Sequence, residues 1–139
     1  MKRILTFLMV ASLAGACRVF TDDEFVVQPA ILQFHDHEPS LTVPATVARN
    51  ATFDVEFMTY GGGCLEAARN RVVTAGMEVD IYSTQRDMSS VACPDILRFE
   101  TNRVTLTLPA TGTAVVRVHG KREPGNEVLV LERQVTVTN

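Results

Sequence analysis

The chain has 139 residues, with 13 basic against 16 acidic side chains and a formal net charge of −3. That length is one domain's worth and can enclose a single core. The acid excess, with no basic block longer than Lys121-Arg122, excludes a nucleic-acid or anionic-lipid surface built on clustered Lys and Arg.

The N-terminus reads as an address. Lys2 and Arg3 precede an uncharged, mostly apolar run from Ile4 to Ala16, which ends in the small residues Ala14-Gly15-Ala16 before Cys17. This is the three-part pattern of an export signal, and the run falls short of the about 20 apolar residues that span a bilayer. Leu13-Ala14-Gly15-Ala16-Cys17 resembles the lipobox of bacterial lipoproteins. The resemblance implies that residues 1–16 are a signal peptide cut just before Cys17, that Cys17 carries the lipid, and that the acyl chains hold the protein at a membrane. The family favours Leu where this chain has Ala14, and the same three small residues also suit an ordinary cut at that place without a lipid. Arg18, in place of the Asp that retains lipoproteins at an inner membrane, points to the outer membrane where there is one. Residues 17–24, with Asp22-Asp23-Glu24, read as a solvated tether, and 25–139 as the folded domain.

From Phe25 to Phe34 the composition predicts a strand interrupted at Pro29. Proline cannot donate to a ladder, and an edge strand can switch sheets at such a break. His35-Asp36-His37-Glu38-Pro39-Ser40 is a polar loop. A short strand follows over Leu41–Val47 with Pro44 inside it, then a turn at Arg49-Asn50-Ala51. Thr52–Tyr60 is the central strand, where Phe53, Val55 and Phe57 alternate with Thr52, Asp54 and Glu56. Gly61-Gly62-Gly63 end it and free the backbone for positive φ or for close approach. Leu65–Asn70 has helical composition, enough for one or two turns. Arg71–Thr74 and Met77–Ser83 form a hairpin across Ala75-Gly76, with Met77, Val79 and Ile81 inward.

Thr84–Pro94 reads as polar and irregular, Asp95–Phe99 as a short turn or strand, and Thr101-Asn102 as a turn. Val104, Leu106 and Leu108 then alternate inward. After a turn at Pro109–Gly112, Thr113–Gly120 is a strand with Ala114, Val116 and Val118 inward and Arg117 and His119 outward. Pro124-Gly125-Asn126 is a β-turn signal, and Val128–Val137 closes the domain with a bulge or bend between Leu131 and Val135. Seven or eight strands at close spacing, without a long helix, predict an all-β antiparallel sandwich with Greek-key connections. The pattern resembles the immunoglobulin-like modules of bacterial surface proteins over roughly Val26 to Asn139, without the core Trp of antibody domains.

With Cys17 assigned to the lipid, Cys64 and Cys93 remain. Export favours a disulfide between them over two free thiols or a metal pair. Closing this loop of about 30 residues contributes roughly 3–4 kcal/mol by chain entropy. His35 and His37 share a face if their segment is extended, which makes them the weak candidates for a metal site, and His119 is the only other imidazole. The competing reading is a polar loop. The three glycines lack the Lys-Ser/Thr of a phosphate-binding loop, since Cys64-Leu65-Glu66 follows. Asp54, Glu56, Glu78 and Asp80 fall on outward strand positions. The expected function is a non-enzymatic binding or structural module of the cell envelope, with no cofactor. A protein partner would be met through the loops Gly61–Asn70 and Thr84–Ile96, which the disulfide would make neighbours. The alternative is a secreted metal-binding protein or enzyme using His35 and His37.

Overall fold

The computed structural model describes residues 26–88, 92–94 and 96–139. The segments expected to be a signal peptide and a tether, the expected lipid site at Cys17, and Phe25 lie outside them. The described chain is all-β, with twelve strands and a disulfide joining Cys64 to Cys93, whose Cα atoms are 5.2 Å apart. The strands are β1 (Val26–Pro29), β2 (Ile31–Phe34), β3 (Leu41–Thr42), β4 (Thr46–Ala48), β5 (Thr52–Gly61), β6 (Leu65–Ala67), β7 (Arg71–Ala75), β8 (Glu78–Tyr82), β9 (Thr84–Asp87), β10 (Arg98–Thr107), β11 (Gly112–Glu123) and β12 (Glu127–Thr138).

Nine strands form one continuous ladder and three form a small sheet in the order β1-β9-β6. β5 pairs with β10 from end to end, and β11 pairs with β12 in one unbroken register from Gly112↔Val137 to Arg122↔Glu127. On its other edge β11 takes two partners in turn, β8 along Val115–His119 and β2 from Lys121 onward. Gly120 sits at the changeover. A Cβ there would stand 2.5 Å from the Ala30 carbonyl oxygen and 2.6 Å from Leu32 Cγ, so only glycine lets the chains close up. The pairings of β2 and β8 with β11, and of β4 with β12, are parallel, so the ladder is mixed rather than purely antiparallel.

The core is the alternation made solid. Phe53, Val55 and Phe57 of β5, Leu106 of β10, Val79 and Ile81 of β8, Ala114, Val116 and Val118 of β11, and Val135 and Val137 of β12 are buried in one cluster, closed by Leu32, Leu41 and Leu108. Met77 and Val104 pack against it.

The extra strands come from chain breaks. The 25–34 segment divides at Ala30 into β1 and β2, which belong to different sheets, as Pro29 suggests. The 41–47 segment divides around Pro44. Two expectations are overturned by pairing: the helical stretch after Cys64 contains the strand β6, and the irregular polar stretch starts with β9, because the two hydrogen-bond to each other. Six residues cannot hold a helix by themselves, and an adjacent strand satisfies their backbone. The turn expected at Thr101-Asn102 is also absent. β10 runs straight through it, in register with β5, and Asn102 Nδ2 donates to Thr59 Oγ1 at 2.8 Å. The bulge expected in β12 lies instead on β11, between Lys121 and Arg122, where its register against β2 shifts. Asn126 and Gly125 carry the positive φ of the turn at Pro124-Gly125-Asn126.

Candidate binding groove at the seam of the two sheets

Three strands of the large ladder each run on into the small sheet. β2 is reached from β1 through Ala30, β8 continues through Ser83 into β9, and β5 continues through Gly62-Gly63-Cys64 into β6. Backbone bonds lock the crossing: Ala30 N–H donates to Ser83 O (2.9 Å), Lys121 N–H to Ala30 O (2.9 Å) and Ser83 N–H to His119 O (3.2 Å). Two buried polar side chains reinforce it. Gln85, 2% exposed, accepts from Ile31 N–H at 3.0 Å and donates to Tyr60 O at 2.8 Å. Lys121 Nζ donates to Gln28 Oε1, Glu123 Oε1 and Asn126 Oδ1 at 3.2, 2.9 and 2.7 Å, so all three of its protons are used.

Along this seam, on the face of the ladder turned away from the core, lies a groove of about 860 Å³. Its base follows from register. Arg71 is opposite Tyr82 and Tyr82 is opposite His119, so three adjacent strands place one lining residue each in a single row. The Tyr82 and His119 rings stack at 4.5 Å with 13° between planes, and the Arg71 guanidinium carbon is 4.4 Å from the Tyr82 ring centre. Pro29 of β1 and Val128 of β12 also line the groove, as do Arg69 and Asn70 from the segment before β7. That segment is tied to β9 by Ala68 N–H to Thr84 O (2.9 Å) and by Thr84 Oγ1 to Arg69 O (2.8 Å). Asn70 Oδ1 is buried without a hydrogen-bond partner. The lining holds two arginines and no carboxylate.

In the next row on the same face, beside Val73, Asp80, Arg117 and Glu132 form a charge ladder. Arg117 donates to Glu132 Oε2 at 2.9 Å and to Glu78 Oε2 at 3.0 Å. The hydrogen bonds to Glu132 and then Glu78 raise its pKa above the ordinary arginine value, so it stays cationic. His119 Nε2 lies 2.7 Å from Asp80 Oδ1. The ladder therefore anchors the groove's imidazole by a carboxylate beneath it. Glu78 and Asp80, read as solvated, serve this ladder. On β5, Asp54 and Glu56 serve Arg103 and Thr105.

The candidate residues of the sequence are dispersed. His35 has φ +51° and its ring meets Phe34 edge-on at 4.4 Å. The His37 ring lies 5.7 Å from both Tyr60 and Phe99. His119 belongs to the groove. No group of three or more His, Cys, Asp or Glu suited to a metal is found among the described residues. Both later cysteines are in the disulfide, so neither is a thiolate nucleophile. Of the three central glycines none has positive φ, but Gly63 makes a close approach: a Cβ there would overlap the Pro94 carbonyl. Sequence reasoning did not single out Arg71 and Tyr82. The signal was there in part, since Tyr82 is an aromatic at an outward position of a cleanly alternating strand. Their meeting with His119 depends on the pairing of β7, β8 and β11.

In comparisons with known proteins, no family model matches the chain, and no curated protein or solved structure matches it.

Proposed function

We propose that the chain is an exported, lipid-anchored binding module of the cell envelope, non-enzymatic, that recognises its ligand in the seam groove. The single observation that carries the binding role is the groove itself: a concavity with aromatic and aliphatic lining, a few oriented polar groups, and a rigid floor of paired strands. Its address rests on the lipobox-like Leu13–Cys17 segment and on a disulfide suited to an oxidising compartment. The architecture reads as an immunoglobulin-like sandwich, supported by the burial of the β5/β10 and β8/β11/β12 faces in one cluster, with the parallel pairs as its departure from that plan. The contact surface proposed from the sequence overlaps the groove at Arg69, Asn70 and Thr84.

Two measurements test this. Labelling with a fatty-acid analogue should mark the wild type and not Cys17→Ala, and the variant should leave the membrane fraction; label retained by the variant refutes the anchor. A photoreactive phenylalanine at 128 should crosslink in growing cells where one at 107 does not. Equal yields from both positions refute the groove as the recognition site.

A further inference from the structure

Resting on that reading of the groove, we propose that its ligand is an amphipathic oxyanion, an apolar body ending in a carboxylate or phosphate. The lining of the groove is cationic. The chain as a whole is acidic, yet the groove presents Arg69 and Arg71 with no Asp or Glu among its lining residues. The acidic side chains nearby already have partners: Asp80 contacts the groove's own His119, and Glu78 and Glu132 accept from Arg117.

Arg71 is held in place without a counter-charge. Its guanidinium lies over the Tyr82 ring, and no ion pair to it is found among the described residues. No side-chain hydrogen bond of Arg71 is found among the described residues, so the N–H groups of its guanidinium are left to bind. That fork matches two oxygens of a carboxylate or phosphate. The cation–π contact also reduces the rotamer freedom that binding would otherwise remove.

The groove also has an apolar part. Val128 is 84% exposed, beside Pro29 and the Tyr82 ring in the same groove. Valine and proline offer an anion nothing, but they cover a hydrocarbon or aromatic body. An inorganic ion would leave that surface wet, and an uncharged hydrocarbon would leave the arginines without a counter-charge.

The test uses the full chain carrying Cys17→Ala, without lipid or detergent and with its disulfide intact, and three probes with one tail: decanoate, decyl phosphate and decyltrimethylammonium, each below its micelle concentration. Calorimetry gives affinity and NMR reports the Tyr82 and His119 ring signals. The two anions should bind at a single site and shift those signals. The cation should bind at least about tenfold more weakly. Arg71→Gln should weaken decanoate by about 10- to 100-fold, the range for a charged hydrogen bond. Val128→Glu, at a position too exposed to disturb folding, should weaken the anions and spare the cation. Equal binding of all three probes, unaffected by Arg71→Gln, overturns the oxyanion proposal and leaves the groove a binding site. No shift of either ring by any probe overturns both.

Discussion

The two sheets are held together by different physics. The large ladder surrounds a cluster of alternating apolar side chains, with Val55, Ile81, Val116, Val118 and Val135 fully removed from water. The small sheet has strands of four, four and three residues, and its one buried side chain is the amide of Gln85. It is secured by the Cys64–Cys93 bond, by the close approach of Gly63 to Pro94, and by the two hydrogen bonds of Gln85. Hydrophobic area stabilises one sheet, and covalent and polar ties stabilise the other. The groove lies where the two regimes meet.

That contrast breaks most visibly in the core. Phe57 is 1% exposed, and Phe57→Ala should cost about 3–5 kcal/mol, as large cavities do. Urea unfolding should show the loss, and it should be global. Replacing both Cys64 and Cys93 by Ala should cost roughly 3–4 kcal/mol in the chain-entropy account. Its signature should be local: hydrogen exchange should accelerate at residues 84–87 while β8 and β11 stay protected. Uniform loss of protection in both sheets would show that they are one cooperative unit. Gln85→Met keeps the volume but leaves Ile31 N–H and Tyr60 C=O buried without partners, at about 1–3 kcal/mol each before relaxation. Faster exchange at Ile31 would place the loss at the seam.

The same contrast explains which parts of the fold were legible in the sequence. Alternation at Phe53–Phe57, Met77–Ile81, Val104–Leu108 and Ala114–Val118 marks strands because burial on one face requires it. Those strands and their inward residues follow directly, as does the cysteine pair. β6 and β9 carry no such alternation. Leu65-Glu66-Ala67 and Thr84-Gln85-Arg86-Asp87 become strands because each finds a neighbour's backbone, a non-local fact that composition does not record. β10 runs through Thr101-Asn102 for the same reason. The groove was legible only in pieces. His119 is outward by parity, but Arg71 and Tyr82 reach it through a parallel β8–β11 pairing that a sandwich of antiparallel hairpins does not suggest.

The smallest expected effect sharpens the contrast from the opposite side. Arg103 of β10 donates through Nε to Glu56 Oε1 at 2.9 Å and lies 3.7 Å from Asp54 Oδ2, on the solvent face of the β5–β10 pair. Arg103 is 63% exposed, and the carboxylates are 37% and 41% exposed, so water and salt screen the attraction. Arg103→Met should therefore change stability by only about 0–1 kcal/mol, and the difference should shrink as salt is raised. The register of β5 against β10 is fixed on the other face, where a one-residue slip would turn Phe53, Val55 and Phe57 out to water. A cost above about 2 kcal/mol, insensitive to salt, would mean that polar ties also hold the large ladder. The division between an apolar sheet and a tied one would then fail at its strongest point.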